Sequence, residues 1–351
     1  MIRPPIDPHS VRRMMFVRPR FLGDVCLTLP LVEAARAIAP HAQVAYVLER
    51  GLAPLLAEDD RFDRIIAVPG KPSLRETARL VHGIREFAPD VVFDCFCNPR
   101  TAVWTALSGA ATRVGYPNKG WRSAMYTHHC RPRTLSATGF HLAALAAIGW
   151  PTPSQPSTPR LRLAPTWRDE AREGLRALGI ADAARLVGFH PGARWPTRRW
   201  APDRFAALAN QLLATHSDTV ALITAGPGER ATAEAVAQAL PRERAHVIAD
   251  WPLTRFVALQ SLCDAFVCGD TGPVHTAVAA GAKTLGLISR NRPAMFFPYP
   301  EHEGHRAHYA RVECSPCHRD ECSDLRCLTR LTVDGAWGLL QQMLAPESRA
   351  T

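Results

Sequence analysis

Four stretches of this chain carry side chains suited to chemistry on an anion. Residues 269–275 read Gly-Asp-Thr-Gly-Pro-Val-His. Asp270 ends a strand-like apolar run, and Thr271, Gly272 and Pro273 have the composition of a helix opening. Such an opening aims unpaired backbone N–H groups and the positive end of a helix dipole at a ligand, which are the ingredients of a phosphate site. A plain helix cap is the alternative, since Asp and Thr are favoured N-caps. Residues 190–200, HPGARWPTRRW, offer Gly192 and Ala193, small enough to let a phosphate reach the backbone. Arg198 and Arg199 follow, either as a solvated pair or as planar forks for phosphate oxygens. In residues 226–234, GPGERATAE, Glu229 stands at a helix start, where its carboxylate complements the dipole or accepts hydrogen bonds from a ribose. The fourth stretch, FVRPRFLGDVCLTLP at residues 16–30, sets Asp24 between a strand-like and a helix-like run. That carboxylate either caps the helix or acts as a general base.

A fifth constellation lies near the C-terminus. Cys314, Cys317, Cys322 and Cys327 form a C-x2-C-x4-C-x4-C array. Thiolate clusters of this kind suit structural zinc or iron, although the spacing departs from the usual paired C-x2-C pattern; reduced thiols or a redox pair are the alternative. The other six of the ten cysteines are scattered, mostly in apolar or strand-like segments, as expected of reduced core thiols in a cytoplasmic protein. No G-x-G-x-x-G follows a strand-like run and no P-loop occurs, which disfavours a nicotinamide or flavin dehydrogenase and a P-loop enzyme.

These loops must be held by something, and the surrounding pattern says what. From Met14 onward short apolar runs alternate with helix-period segments: MMFV, AQVAYVLE, RIIAV, DVVFDCF and TRVGY read as strands. Leu31, Ala34, Ala35 and Ile38 recur at helical spacing, with Pro30 placed in the first turn after a Gly-Asp turn. Ser73 and Glu76 form a capping-box signature for another helix. A segment rich in Pro, Ser and Thr then interrupts, and the alternation restarts at RLVGFHPG. The expectation is an α/β protein with an N-terminal Rossmann-like domain at 1–155, a linker at 156–165 and a second Rossmann-like domain at 166–330. A final helix at 331–351 is expected to pack back on the first domain. Ligands should sit at the carboxyl ends of the strands, in a cleft between domains.

The chain's 351 residues suit two domains. Its formal charge of +10, carried by arginine with only three lysines, favours an anionic partner: nucleic acid, a phosphorylated small molecule or an acidic membrane surface. No apolar run is long enough to span a bilayer. Arg18, Pro19 and Arg20 interrupt what would otherwise resemble a twin-arginine signal.

Taken in order and spacing, RFLGDVCLTLPLVEAAR, HPGARWPTRRWAPDRFAALA, TAGPGERATAEAV and CGDTGPVHTAVAAGAKTLGLI resemble the ADP-heptose:lipopolysaccharide heptosyltransferase family, glycosyltransferase family 9. The resemblance implies the GT-B architecture and inverting transfer of a heptose from ADP-heptose to a lipopolysaccharide-core or other glycan, lipid-linked at the inner membrane face. It implies no catalytic cofactor. By the same match Asp24 is the general base, Arg198 holds the donor phosphates and Glu229 meets the ribose. Asp270, Thr271, Gly272 and His275 line the donor site. Two departures stand out: arginine replaces the family's usual lysine at 198, and Ala201 replaces the proline after Trp200, with Pro202 one step on. A helix N-terminus near Asp24 would weaken it as a base, so catalysis leans on positioning and on the phosphate side.

Two rival readings accompany this one. An epimerase or other nucleotide-sugar enzyme shares the donor features but needs no acceptor base. A zinc-containing nucleic-acid binder would explain charge and cysteines, yet the arginines form no stripe with interleaved aromatics. The loops NPRTAVW and GYPNKGWRSAMYTHHCRPRT, rich in Arg, His and Lys, are the expected acceptor contacts.

Overall fold

Runs of consecutive apolar residues become the central strands of two parallel sheets. In the computed structural model, which describes residues 4–117, 120–317 and 319–345, the chain divides into two compact units, Met1–Arg162 and Leu163–Thr351. The first holds β1 (Arg13–Val17), β2 (Gln43–Glu49), β3 (Arg64–Val68), β4 (Val91–Asp94), β5 (Thr112–Gly115) and β6 (His128–His129). The second holds β7 (Arg185–His190), β8 (Thr219–Thr224), β9 (Ala245–Ile248), β10 (Ala265–Gly269), β11 (Thr284–Ile288) and β12 (Arg306–Tyr309). Both sheets are six-stranded, ordered β3-β2-β1-β4-β5-β6 and β12-β11-β10-β7-β8-β9. Read from its other edge, the second repeats the order of the first. Every β-ladder is parallel, which requires helical crossovers and buries both faces of the middle strands. Accordingly β4, β10 and β11 are buried along their whole length, while the edge strand β12 is only half-buried.

This order creates a switch point in each unit, between β1 and β4 and between β7 and β10, where the loops diverge and a crevice opens at the carboxyl ends. At the first, the structure corrects the sequence reading. Gly23 and Asp24 do not form a turn; they belong to the first turn of helix Leu22–Ile38, and Pro30 lies deep inside that helix. Proline there withholds an N–H from the carbonyl of Cys26, a defect of about 3 kcal/mol. Packing offsets it, because residues 25–32 are buried throughout.

Arg61, buried with Asp59, reaches the carbonyl of Arg160 at 2.7 Å and so ties the proline-rich segment to the first unit. Pro165, the last residue of the expected linker, instead opens helix Pro165–Ala177. The final helix runs Val333–Leu344 and buries Ala336, Leu340 and Met343 in the core of the second unit. That apolar face is committed to its own unit; residues 346–351 lie outside the described residues. Trp200 anchors the same core, its indole N–H donating to the carbonyl of Leu331 at 2.9 Å.

Candidate active site

At the first switch point the segment after β1 folds back over the end of β4. Arg18 follows β1 directly, and its guanidinium lies 2.6 Å from Oδ1 of Asp24 and donates to the carbonyl of Cys95. It also stacks on the ring of Phe96 at 4.9 Å. Asp24 Oδ2 accepts from the backbone N–H of Phe21 at 3.2 Å, so the aspartate does cap its helix. Its side chain stays 26% exposed. A carboxylate offers about four lone-pair directions, so cap and ion pair leave capacity for a ligand hydroxyl. Phe21, half-exposed, stands beside it with Arg20 over its ring.

A second carboxylate at this switch point is buried, and the sequence reading missed it. Asp94, the last residue of β4, accepts from the N–H groups of Phe96 and Cys97 and from the hydroxyl of Tyr126, at 3.0, 2.8 and 2.8 Å. Burial pushes its carboxyl above the usual aspartate range despite these donors. It staples the loop after β4, which also carries the Phe96 ring under Arg18. His141, buried and near Arg18, is pushed down to about 3 and stays neutral, hydrogen-bonded to Tyr116. In the expected acceptor loop, Asn118 and Lys119 lie outside the described residues; Trp121, Arg131 and Arg133 are exposed.

The second switch point is built from donors instead. Arg198 ends a short 3-10 turn, Pro196–Arg198, and its Nη1 donates to the carbonyl of Asp270 at 2.9 Å. Gly269 makes that approach feasible, since a Cβ there would stand 2.7 Å from the carbonyl oxygen of Arg198. Asp270 itself is 1% exposed, and its carboxylate accepts from Asn291. Asp270, expected from the sequence at the donor, also holds Arg198 through its carbonyl. Thr271 is the N-cap residue of helix Gly272–Ala280, but its hydroxyl turns to Cys268 and Gly269 and makes no cap hydrogen bond. The cap reading thus fails for Thr271, and the buried carboxylate of Asp270 is bonded to Asn291 instead; a helix start of this kind is where an anion can be bound.

Glu229 occupies the N-cap position of helix Arg230–Ala237. Its Oε2 accepts from the N–H of Gly226 at 3.0 Å and lies 3.2 Å from Nε2 of His190. Burial alone would push this carboxyl up; the hydrogen bond and charge of His190, with the Gly226 N–H and Arg199, bring it below the usual glutamate range. Gly192 is needed for this seat, because a Cβ there would fall 2.1 Å from Glu229 Oε2. Arg199 is exposed and bonds the carbonyl of buried Ala193 at 2.8 Å. His275 is buried on helix Gly272–Ala280 with Nδ1 2.6 Å from the hydroxyl of Tyr299.

The cysteine loop props this site from outside. Thr197 donates to the carbonyl of Arg319, Arg290 to Asp320, and the N–H of Cys317 to the carbonyl of Arg290. Ser289 in turn donates to the carbonyl of Thr197. Among the described residues, however, no three His, Cys, Asp or Glu side chains are placed to hold a metal ion. Cys314 is exposed, Cys327 is buried, and the Cys322 thiol is turned to the carbonyl of Asp324. As placed, the four thiols do not form the zinc or iron site that their spacing suggested; His318 lies outside the described residues. Among those residues no helix is long and apolar enough to cross a membrane.

The family model for Glycosyltransferase family 9 (heptosyltransferase) matches residues 77–327. A curated relative, Lipopolysaccharide heptosyltransferase 1 of Pseudomonas aeruginosa, is 27% identical, with 96% of this chain and 99% of the relative covered. Among solved structures, E. coli ADP-heptose lps heptosyltransferase II superposes with a TM-score of 0.78 at 18% identity, covering 94% of this chain and 98% of that one. E. coli heptosyltransferase WaaC with ADP-2-deoxy-2-fluoro heptose gives 0.71 at 18% identity, covering 94% and 99%. The iron-containing dodecameric glycosyltransferase TibC from enterotoxigenic E. coli is more distant, with a TM-score of 0.58 at 14% identity over 96% of this chain and 80% of that one.

Proposed function

The chain belongs to glycosyltransferase family 9, the heptosyltransferases, and from that membership we propose that it moves a heptose from ADP-heptose, with inversion, onto a glycan of the lipopolysaccharide core. The observation that carries this reading is the second switch point, where Arg198 bonds the carbonyl of Asp270 just ahead of helix Gly272–Ala280 and Glu229 is already seated. Support for the donor comes from a relative named for lipopolysaccharide heptose transfer and from a neighbour solved with an ADP-heptose analogue. Membership of a transferase family leaves the epimerase and nucleic-acid readings without support.

In this reading Arg198 and the Gly272 N–H neutralise the donor diphosphate, and Glu229 accepts hydrogen bonds from the ribose hydroxyls. The acceptor hydroxyl gives its proton to Asp24 as its oxygen bonds to the anomeric carbon. The bond from that carbon to the diphosphate oxygen breaks, and ADP leaves with the electron pair. Attack from the face opposite the leaving group inverts the centre. Charge grows on the diphosphate, so stabilisation there contributes most. Arg18 keeps Asp24 in place for its role. Arginine at 198 binds a diphosphate bidentately and can replace the family's lysine. A lipid-linked acceptor puts the enzyme at the cytoplasmic face of the inner membrane, and the charge of +10 favours that anionic surface.

A panel of nucleotide sugars tests the reading. ADP-heptose and ADP should raise the thermal midpoint and ADP-heptose alone should turn over, whereas UDP- and GDP-sugars should do neither. Absence of stabilisation by any ADP ligand would sink it.

A further inference from the structure

Two buried polar side chains, His190 and Thr224, remain without a role in the reaction. They end the adjacent parallel strands β7 and β8, which pair Phe189 with Ile223. Both are sequestered from solvent, and Phe256 packs on the imidazole at 6.1 Å. An unsatisfied imidazole in such a place costs free energy, and this one is bonded at both nitrogens. Nδ1 lies 2.9 Å from the Thr224 hydroxyl, and Nε2 lies 3.2 Å from Oε2 of Glu229.

The proton positions follow from the partners. Ionised Glu229 only accepts, so Nε2 carries a hydrogen and donates it. Nδ1 faces the Thr224 hydroxyl, which also lies 3.2 Å from the Phe189 carbonyl. The Nε2–H is thereby held on Glu229. With Gly226 donating to the same oxygen, Oε2 is doubly engaged, and the capacity left for a ligand lies on Oε1. A glutamate with three rotatable bonds is thereby fixed before anything binds, which removes an ordering cost otherwise met on association.

We infer that His190, held between Thr224 and Glu229, is a positioning residue that presets Glu229 for the vicinal diol of the donor ribose and so enforces preference for a ribonucleotide. The inference rests on the assignment of Glu229 to the ribose made above. It predicts a selective defect: loss of His190 should weaken ligands that carry the diol and spare those that lack it, whereas a merely structural residue would weaken both.

Calorimetric titration of the full chain with ADP and with 2′,3′-dideoxy-ADP makes the test. His190→Ala should weaken ADP about tenfold, the order of one hydrogen bond to a charged group, with dideoxy-ADP unchanged within about twofold. His190→Gln, which returns an N–H near the position of Nε2, should recover most of the loss. Thr224→Val, nearly isosteric and so least disturbing to the fold, should show the same selectivity at smaller size, and it carries the test with His190→Gln if His190→Ala does not fold. Equal weakening of both nucleotides, or of neither, in these variants would overturn the inference. Glu229→Gln separates the two layers: if it also fails to distinguish the nucleotides, the ribose assignment itself falls; if it distinguishes them while the His190 variants do not, only the positioning role falls.

Discussion

The two switch points share a strand order and differ in almost everything else. Between β1 and β4 the half-buried polar group is a carboxylate, Asp24, braced by Arg18 and a backbone N–H, with a buried second carboxylate, Asp94, at the end of β4. Between β7 and β10 the half-buried group is a cation, Arg198, next to a helix start, while the carboxylate in that place, Asp270, is buried and bonded to Asn291. In the proposed mechanism the first group accepts a proton and the second set takes up negative charge. The topology fixes where loops diverge; the handful of side chains after each strand sets the chemical character of each switch point.

Substitutions that exchange or remove these characters should break the contrast by graded amounts. The largest effect is expected from Asp24→Asn, which keeps the shape of the side chain and removes its basicity; transfer should fall by about 10²- to 10⁴-fold, the usual worth of general base catalysis, in a turnover assay with ADP-heptose. Arg198→Ala should lower kcat/KM by about 10²- to 10³-fold, and Arg198→Lys should recover much of that loss. A result in which the lysine variant is as poor as alanine would show that the bidentate fork, not the charge, is what matters here. Smallest is Gly192→Ala: its methyl would collide with the Glu229 carboxylate, and ADP should bind about tenfold more weakly, the scale of one lost charged hydrogen bond. Unchanged ADP affinity in that variant would mean the observed seat of Glu229 is not the one that binds.

Much of this was legible in the chain itself, for a physical reason. Middle strands of a parallel sheet are buried on both faces, so β4, β10 and β11 read as mainly apolar runs. The edge strand β12, Arg-Ala-His-Tyr, and the two-residue β6, His-His, carry no such pattern and went unread. Helix Leu22–Ile38 was misplaced at its start because Pro30 looked like a first-turn residue, and only tertiary burial tells otherwise. Loop residues with side chains suited to a ligand showed in their types. The residues that hold them did not: His190, Asn291 and Asp94 act across sheet neighbours or distant loops, and their spacing along the chain encodes none of that. A buried His at the end of an apolar strand was the one available signal, and it lay within the very stretch, HPGARW, that drew attention for its glycine and arginines.

The central claim is a division of labour, with proton acceptance in the first unit and donor binding in the second. Its most direct test is the dissociation constant of ADP for the Asp24→Asn variant, measured beside the unmodified protein. Values equal within about twofold are expected if Asp24 serves the acceptor and not the nucleotide, as proposed. A loss of tenfold or more in ADP affinity would contradict it, because the early-loop carboxylate would then belong to the donor site.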